Sequence, residues 1–312
     1  MGISIHQSTN LFEGNRITFG FDWFRYGGEA WTEYVKGEKE GTRTDLVNKH
    51  ENEVAGYIDF RQSIGRWLTF NAGLRADHHS RVGTEWIPQA GIAFHLPHGM
   101  ELKASASKGF RYPILREMYM FPPQNPDLQP ESMWNYELAF SQSMPGNRLH
   151  YGLNLFYIDG KNLIMILPNP HGSGKLNQNS GKIKNTGIEA QLAYRINTTW
   201  SVNTNYSYLH MENPVIAAPE HKFYAGVDFS KNRWNVSSGL QYIGGLYTQI
   251  ATGNIKDMRE NFILWNVHAS YRMTNWLSFR LRGENLLAQR YEINAGYPMP
   301  KATFMGGIHL NF

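Results

Sequence analysis

The sequence has no cysteine, which rules out both a disulfide framework and a thiolate metal site. No stretch approaches the roughly 18 consecutive apolar residues of a membrane-spanning helix, and the mean hydropathy is −0.47. Charge is scarce as well. Asp, Glu, Lys and Arg make up 18 % of the chain, below the roughly 25 % of ordinary soluble domains. The net charge is +4, and the basic residues are scattered, without the stripe or motif of a nucleic-acid binder. There is no G-x-S-x-G, no H-E-x-x-H, no P-loop and no convincing carboxylate pair. His78, His268 and His309 share a strand parity with nearby serines by alternation alone, so no catalytic residue is assigned and the chain reads as a non-enzyme. No leader is visible either. After Met1 the chain moves straight into ISIHQSTNLF, which already alternates, so an export signal is expected upstream of this sequence.

Aromatic residues and glycine are plentiful, at 14 % and 30 residues. In TNWLSFRLRGENLL, Leu277, Phe279 and Leu281 fall on one parity and Ser278, Arg280 and Arg282 on the other, the period of a half-polar strand. The same opening recurs in GRWLTFNAGLR, TTWSVNTNYSY and NRWNVSSGLQY, where Trp67, Trp200, Trp234 and Trp276 each follow a short polar turn. A ring at a fixed height on strand after strand suits a membrane interface, which solvates its apolar body and its polar edge separately. A soluble β-sandwich with tryptophans in its core is the alternative, and its apolar faces would need a second layer.

Alternation and breakers predict about fifteen strands, near 3–12, 15–31, 51–62, 67–78, 85–95, 100–111, 133–143, 148–167, 182–196, 200–210, 221–230, 233–248, 260–273, 276–290 and 300–312. Short turns begin at 13, 63, 96, 144, 196, 230 and 273. They take turns with longer connections at 32–50, 79–84, 112–132, 168–181, 211–220, 249–259 and 291–299. Short turns on one rim and long loops on the other is the rule of outer-membrane barrels. In such a barrel the apolar face meets lipid, the polar face lines the lumen, and backbone pairing has to close around the ring. Arg75, Arg195, Arg280, Arg282 and Glu284 fall on inward parities, where charges bond a plug or one another.

The stretch SASKGFRYPILREMYMFPPQNPDLQPESMWNYE resembles TonB-dependent outer-membrane receptors, in which an "FRAP"-type motif precedes "NPNL-KPE". The matching residues are Phe110, Arg111 and Pro113, then Asn125, Pro126, Asp127, Leu128, Pro130 and Glu131. NTGIEAQLAY, GENLLAQRYE and GYPMPKATFMGGIHLNF continue the resemblance in family order, in a style similar to receptors of Bacteroidetes. The resemblance implies a transmembrane antiparallel β-barrel of about 22 strands. Residues 1–312 would be a single domain, the C-terminal part of that barrel, in the outer membrane of a Gram-negative bacterium. It also implies uptake of a scarce nutrient, a metal chelate (siderophore, haem or cobalamin-like) or metal ion, with no intrinsic cofactor. The implied partners are outer-membrane lipid, the barrel assembly machinery, a plug with the first strands from the same precursor or a separate chain, and TonB through that plug. Phe304, Ile308, Leu310 and Phe312 resemble the C-terminal signal read by the assembly machinery, which places that end in the periplasm and, for an odd strand count, the other end at the outer rim. A plugless porin or a structural barrel subunit is the competing reading.

Pro113 and Pro122–Pro123 are expected to stop the strand and stiffen a lid-like loop, with one helical turn in ILREMYM. Candidate ligand residues are Arg111, for an anionic chelate, and Met118, Tyr119 and Met120, which stand where haem-type members commonly carry a His. Thioethers with an imidazole suit copper; His78, His79 or His171 would supply the imidazole, and Met133 lies nearby. His78 and His79 alternate faces, so at most one points inward, and both read most simply as solvated loop histidines.

Overall fold

The computed structural model describes residues 1–120, 123–250 and 256–311. It contains fifteen strands, hydrogen-bonded in strictly sequential order. They are β1 (Gly2–Thr9), β2 (Asn15–Glu33), β3 (Arg43–Ile64), β4 (Leu68–His79), β5 (Gly83–Leu96), β6 (Met100–Arg111), β7 (Glu131–Ser143), β8 (Leu149–Pro168), β9 (Lys175–Arg195), β10 (Trp200–Met211), β11 (His221–Lys231), β12 (Trp234–Gln249), β13 (Met258–Arg272), β14 (Leu277–Glu284) and β15 (Thr303–Leu310). The chain divides into two compact units. One holds Met1–Phe94, Lys103–Glu137 and Ile158–Lys184; the other holds His95–Leu102, Leu138–Tyr157 and everything from Asn185 onward.

In the first unit the register sorts side chains by chemistry. The pairs Ile5–Phe21, Phe21–Gly56, Gly56–Ala76 and Ala76–Trp86 run across β1 to β5 as one apolar row. On the opposite face the pairs Ser4–Asp22, Asp22–Ala55, Ala55–Asp77 and Asp77–Glu85 form a polar row. A one-residue slip would exchange the two faces, so the register is tightly specified. Arg75 on the polar face pairs with Asp22 and Asp77, the mutual satisfaction expected of inward charges. Gly20 sits directly under the Tyr57 ring, where a Cβ would collide with it.

The second unit repeats the scheme. Phe229–Val236, Val236–Ala269, Ala269–Leu281 and Leu281–Gly306 make an apolar row, while Asp228–Ser237, Ser237–His268 and His268–Arg282 line the other face. Arg282 is ion-paired with Glu284.

In both units the apolar face is the exposed one. Trp67 is 54 % exposed, Trp200 42 %, Trp234 49 % and Trp276 54 %. These rings stand at the short-turn ends, and Trp200 leans on Phe229 at 4.8 Å and Trp234 on Tyr271 at 4.6 Å across the strand pair. Tryptophans of a soluble sandwich would be buried, so that alternative is set aside. The buried apolar clusters are instead small and local, around Met118, Tyr119 and Leu128 in one unit and around Ile243, Leu246 and Phe262 in the other.

Strand ends and turns depart informatively from the sequence expectation at four places. β2 and β3 run into the anticipated 32–50 loop, because backbone pairing continues from Tyr26–Glu51 to Glu33–Arg43. β9 begins at Lys175, leaving a shorter loop before it. The β4–β5 connection is only residues 80–82, closed by the backbone N–H groups of Arg81 and Val82 donating to His79 Nδ1 at 3.2 and 3.3 Å. β14 stops at Glu284 instead of 290, and the segment expected to pair there folds back. Asn285 causes this. It has a left-handed φ of 47°, its Oδ1 accepts from Gln289 N, and its Nδ2 donates to the Gln289 and Pro300 carbonyls. Asx turn chemistry overrides alternation at this point.

Candidate functional site

β6 ends at Arg111, and the chain then forms a lip that returns to β7 at Glu131. Pro113 cannot donate to a ladder and is itself fully buried, so the strand stops there. The helical turn expected in ILREMYM is present: Glu117 N and Met118 N both donate to Ile114 O, at 2.9 and 3.2 Å. Pro122 lies outside the described residues.

Arg111 joins the two ends of the lip. Its Nε donates to Glu131 Oε2 at 2.6 Å, and its two terminal nitrogens grip Glu117 bidentately at 2.9 and 3.1 Å. The same carboxylates also accept backbone N–H groups, Glu117 from Ile114 at 3.0 Å and Glu131 from Ile164 at 2.8 Å. Trp134 and Tyr136, stacked at 5.9 Å, lie further along β7, so Glu131 stands beyond the aromatic band of that strand. The Arg111 guanidinium holds the Glu131 carboxyl below the usual glutamate range. Glu131 and Glu117 in turn push Arg111 further above its ordinary value. Such forked, charge-assisted bonds are the stronger class of hydrogen bond. Three of the five Arg111 N–H donors are thus committed to lip geometry.

The middle of the lip is held by packing and by asparagines. Met118 is 0 % exposed and Leu128 1 %, and with Tyr119 they pack against Val47, Leu115 and Ile164. Burial raises the Tyr119 phenol above its ordinary value. Asn179 clasps the Gln129 backbone reciprocally: its Oδ1 accepts from Gln129 N at 2.7 Å and its Nδ2 donates to Gln129 O at 2.8 Å. Asn177 Nδ2 donates to Glu117 O, and Asn125 Nδ2 donates to Asn177 O, both at 2.8 Å. Asn125 Oδ1 accepts Asp127 N in an Asx turn, and Pro130 is buried. At the start of the lip, Tyr112 OH donates to Asp77 O at 2.7 Å, and the Tyr112 ring meets Phe110 edge-on at 4.9 Å. Burial pushes the Tyr112 phenol up.

The two motifs are thus brought together in space, while the candidate ligand set is not. Met118 and Tyr119 form the core of the lip, and a thioether sealed among Leu115, Leu128 and Ile164 offers no lone pair to a metal in the mouth. Met120 is partly buried, Met133 is exposed, and His171 lies exposed in the β8–β9 loop. His78 is exposed, with Nδ1 2.9 Å from Thr84 Oγ1. His79 corrects the reading of both histidines as solvated. It is 0 % exposed, with Nε2 2.8 Å from Tyr26 OH and 3.1 Å from Glu51 Oε2. Because Nδ1 accepts two N–H groups, Nε2 carries the ring proton. No group of three or more His, Asp or Glu side chains among the described residues is arranged to hold a metal. Asn177, Asn179 and the Tyr26–Glu51–His79 cluster were not foreseen from sequence. The N-x-N spacing, two amides on one parity of a strand end, is the signal that would have found the asparagines.

Residues 3–286 match the family of TonB dependent receptor-like β-barrels. The vitamin B12 transporter BtuB of Photobacterium profundum is 24 % identical over 305 residues, 94 % of this chain and 47 % of that protein. The iron-regulated outer membrane virulence protein of Vibrio cholerae is 25 % identical over 329 residues, 95 % of this chain and 49 % of the relative. The chain thus spans about half the length of the curated relatives it matches. Among solved structures, a Pseudomonas aeruginosa ferric enterobactin receptor mutant in complex with enterobactin shares the fold at TM-score 0.80 and 17 % identity, over 100 % of this chain and 54 % of that one. The siderophore receptor PirA of Acinetobacter baumannii also has TM-score 0.80 and 17 % identity, with the same coverage of 100 % and 54 %. Exposed apolar rows, polar opposite faces and the pinned FRYP–NPDL lip all fit that match, and the chain belongs to the TonB-dependent receptor β-barrel family of the Gram-negative outer membrane.

Proposed function

We propose that this chain is the wall and part of the outer mouth of a receptor that imports a metal chelate through the outer membrane, driven by TonB acting on a plug. The observation that carries the reading is the lip. Residues 112–120 and 123–130, pinned by Arg111, Asn177 and Asn179, form a rim beside which a bulky ligand can be held. The named relatives include a vitamin B12 transporter and an iron-regulated outer-membrane protein, and a ferric enterobactin receptor shares the fold; these names favour a metal chelate. Polar rows such as Ser4, Asp22, Asp77 and Glu85 supply the hydrogen-bonding wall that a plug requires. Exposed Phe304, Ile308 and Leu310 on β15 suit recognition by the assembly machinery; Phe312 lies outside the described residues.

Uptake of radiolabelled ferric siderophores and cobalamin by cells, with and without the protein, tests this directly. The expected result is uptake of one chelate class that stops when the proton-motive force is collapsed. Uptake indifferent to that collapse, together with a steady open current in planar bilayers, would establish the passive porin instead.

A further inference from the structure

On the polar face of the first unit, β2, β3 and β4 gather carboxylates at the mouth end of the wall. Asp22, Ala55 and Asp77 share one rung, and the last rung of β3 with β4 pairs Glu53 with His79. Glu53 lies one residue beyond Val54, the partner of the outward Trp23 ring, and Glu51 follows two residues further out. Among the described residues the guanidinium they share is Arg75, ion-paired with Asp22 and Asp77. Glu85 of β5, opposite Asp77, is answered by Lys108 of β6 at 2.7 Å, so that cation is already taken. His79 is neutral, since its Nδ1 accepts the Arg81 and Val82 N–H groups. Tyr26 and Tyr112 pack there as neutral phenols, both pushed up by burial.

Taken one at a time, the buried oxygens of this cluster find donors, with one exception. Asp22 accepts the Ser4 hydroxyl and Arg75. Glu51 Oε2 faces the ring N–H of His79 at 3.1 Å. Asp77 Oδ2 accepts two N–H groups from Arg75, at 2.9 and 2.7 Å. Asp77 Oδ1 is left over. It is sealed from solvent in a residue 1 % exposed, and no donor among the described residues reaches it. A buried carboxylate oxygen without a donor destabilises the fold. The Glu53 carboxyl is within hydrogen-bonding reach of Asp77, but an ionised carboxyl has nothing to donate. Two carboxylates in one site resist joint ionisation. Burial, and then the charge of Asp77, raise the Glu53 carboxyl above the usual glutamate range. Because this chain's own atoms close the space around Oδ1, the cation that fits there is a proton.

We propose that Glu53 and Asp77 hold one proton between them, with Glu53 as the neutral acid that donates to Asp77 Oδ1 and fastens the outer end of β3 to β4. As pH rises the proton leaves to water, and two adjoining carboxylates then share Arg75. The break falls directly under the lip, where Tyr112 OH donates to Asp77 O at 2.7 Å. Its sign is opposite to that of an ordinary ion-paired carboxylate. The folded site holds the proton more tightly than the unfolded chain does, so the stabilisation is complete at low pH and lost as pH rises through the folded value. The proton site does not depend on the import reading or on which cargo is carried.

Infrared pH-difference spectra of the protein, extracted from its native outer membrane into detergent, read the carbonyl stretch of a protonated acid. One such band is expected to persist above the range in which free glutamates ionise, about pH 4.3. It should vanish on further alkalinisation and be missing in Glu53→Gln. Asp77→Asn removes the neighbouring charge and should return the band to the ordinary range. Hydrogen exchange at the backbone amides of residues 51–55 and 75–79, corrected for intrinsic exchange, reads the structural consequence. Wild-type protection should fall about tenfold or more as pH rises through the midpoint of the band. Glu53→Gln, whose amide donates to Asp77 Oδ1 at every pH, should keep its protection throughout, whereas Glu53→Ala should lose it even at low pH. A band that never persists, a band that survives Glu53→Gln, or a Glu53→Gln variant as poorly protected as Glu53→Ala would overturn the proposal.

Discussion

Met118 separates a packing role from a metal-binding role, and two substitutions tell them apart. Its side chain is 0 % exposed within the Tyr119–Leu128 cluster, which also involves Val47, Leu115 and Ile164. Replacement by Ala removes the buried methylenes and the sulfur and leaves a cavity, a change that costs about 2–5 kcal/mol in well-packed sites. The lip is a small satellite cluster with part of its surface in solvent, so the low end of that range, about 2–3 kcal/mol, is expected here. At about 1.4 kcal/mol per factor of ten, lip opening becomes roughly 30- to 150-fold more frequent. Met118→Leu preserves volume and costs less than about 1.5 kcal/mol, tenfold at most. The readout is hydrogen exchange of the Asn125 amide, which donates to Met118 O at 3.0 Å and is released when the lip opens. Fast exchange in the Ala variant and near-native exchange in the Leu variant is the expected pattern. Equal loss in both, accompanied by loss of bound copper, would show that the sulfur acts as a ligand and would refute the packing argument.

Further outcomes follow from the same geometry. Asn179→Ala deletes the reciprocal clasp on Gln129 and the bond to Asn162 O; at about 0.5–1.5 kcal/mol net per bond, Gln129 amide exchange should accelerate about tenfold or more with strand amides unchanged. Glu131, held below the usual glutamate range by Arg111, contributes stability that is complete above about pH 4.3 and lost as pH falls through its folded value. Pepsin cleavage within 112–130 should therefore rise more steeply on acidification in the wild type than in Glu131→Gln, which has already lost the ion pair. Leu281, 66 % exposed on the apolar face of β14, should tolerate Phe, while Leu281→Arg should cost about 2–4 kcal/mol if the site lies near the bilayer midplane, read as a lowered urea midpoint for refolding into lipid vesicles.

Much of the fold was legible because a membrane strand is written twice, once in its period of two and once in the aromatic ring that opens it. Trp67, Trp200, Trp234 and Trp276 stand at the short-turn ends where the alternation placed them. Boundaries failed where one side chain overruled a pattern. LRGENLL alternates, yet Asn285 turns the chain. Residues 79–84 look like a loop, yet His79 caps a three-residue turn from inside. The lip motifs were recognisable as a pair that shapes the rim and holds the loop, but the bonds that do so were not. Arg111 beside the motif suggested anion binding; three of its donors go to Glu117 and Glu131, a use that no spacing announces. Met118 and Tyr119 gave no periodic signal of burial, because their partners Val47 and Ile164 lie far off in the chain and are brought near by the folds of β3 and β8.

The long hairpin of β2 and β3 has a further consequence. Above Glu53, which pairs with His79 at the top of β4, β3 has no strand neighbour on that side among the described residues. A bare strand edge in water invites pairing with any other chain that offers one. Here the lip occupies the flank: Val47 packs on the lip cluster, Lys49 lies 5.8 Å over the Tyr119 ring, and Gln124 Nε2 donates to Leu46 O. The segment that shapes the mouth therefore also shields a ribbon that would otherwise be prone to self-association. Variants that loosen it are expected to self-associate.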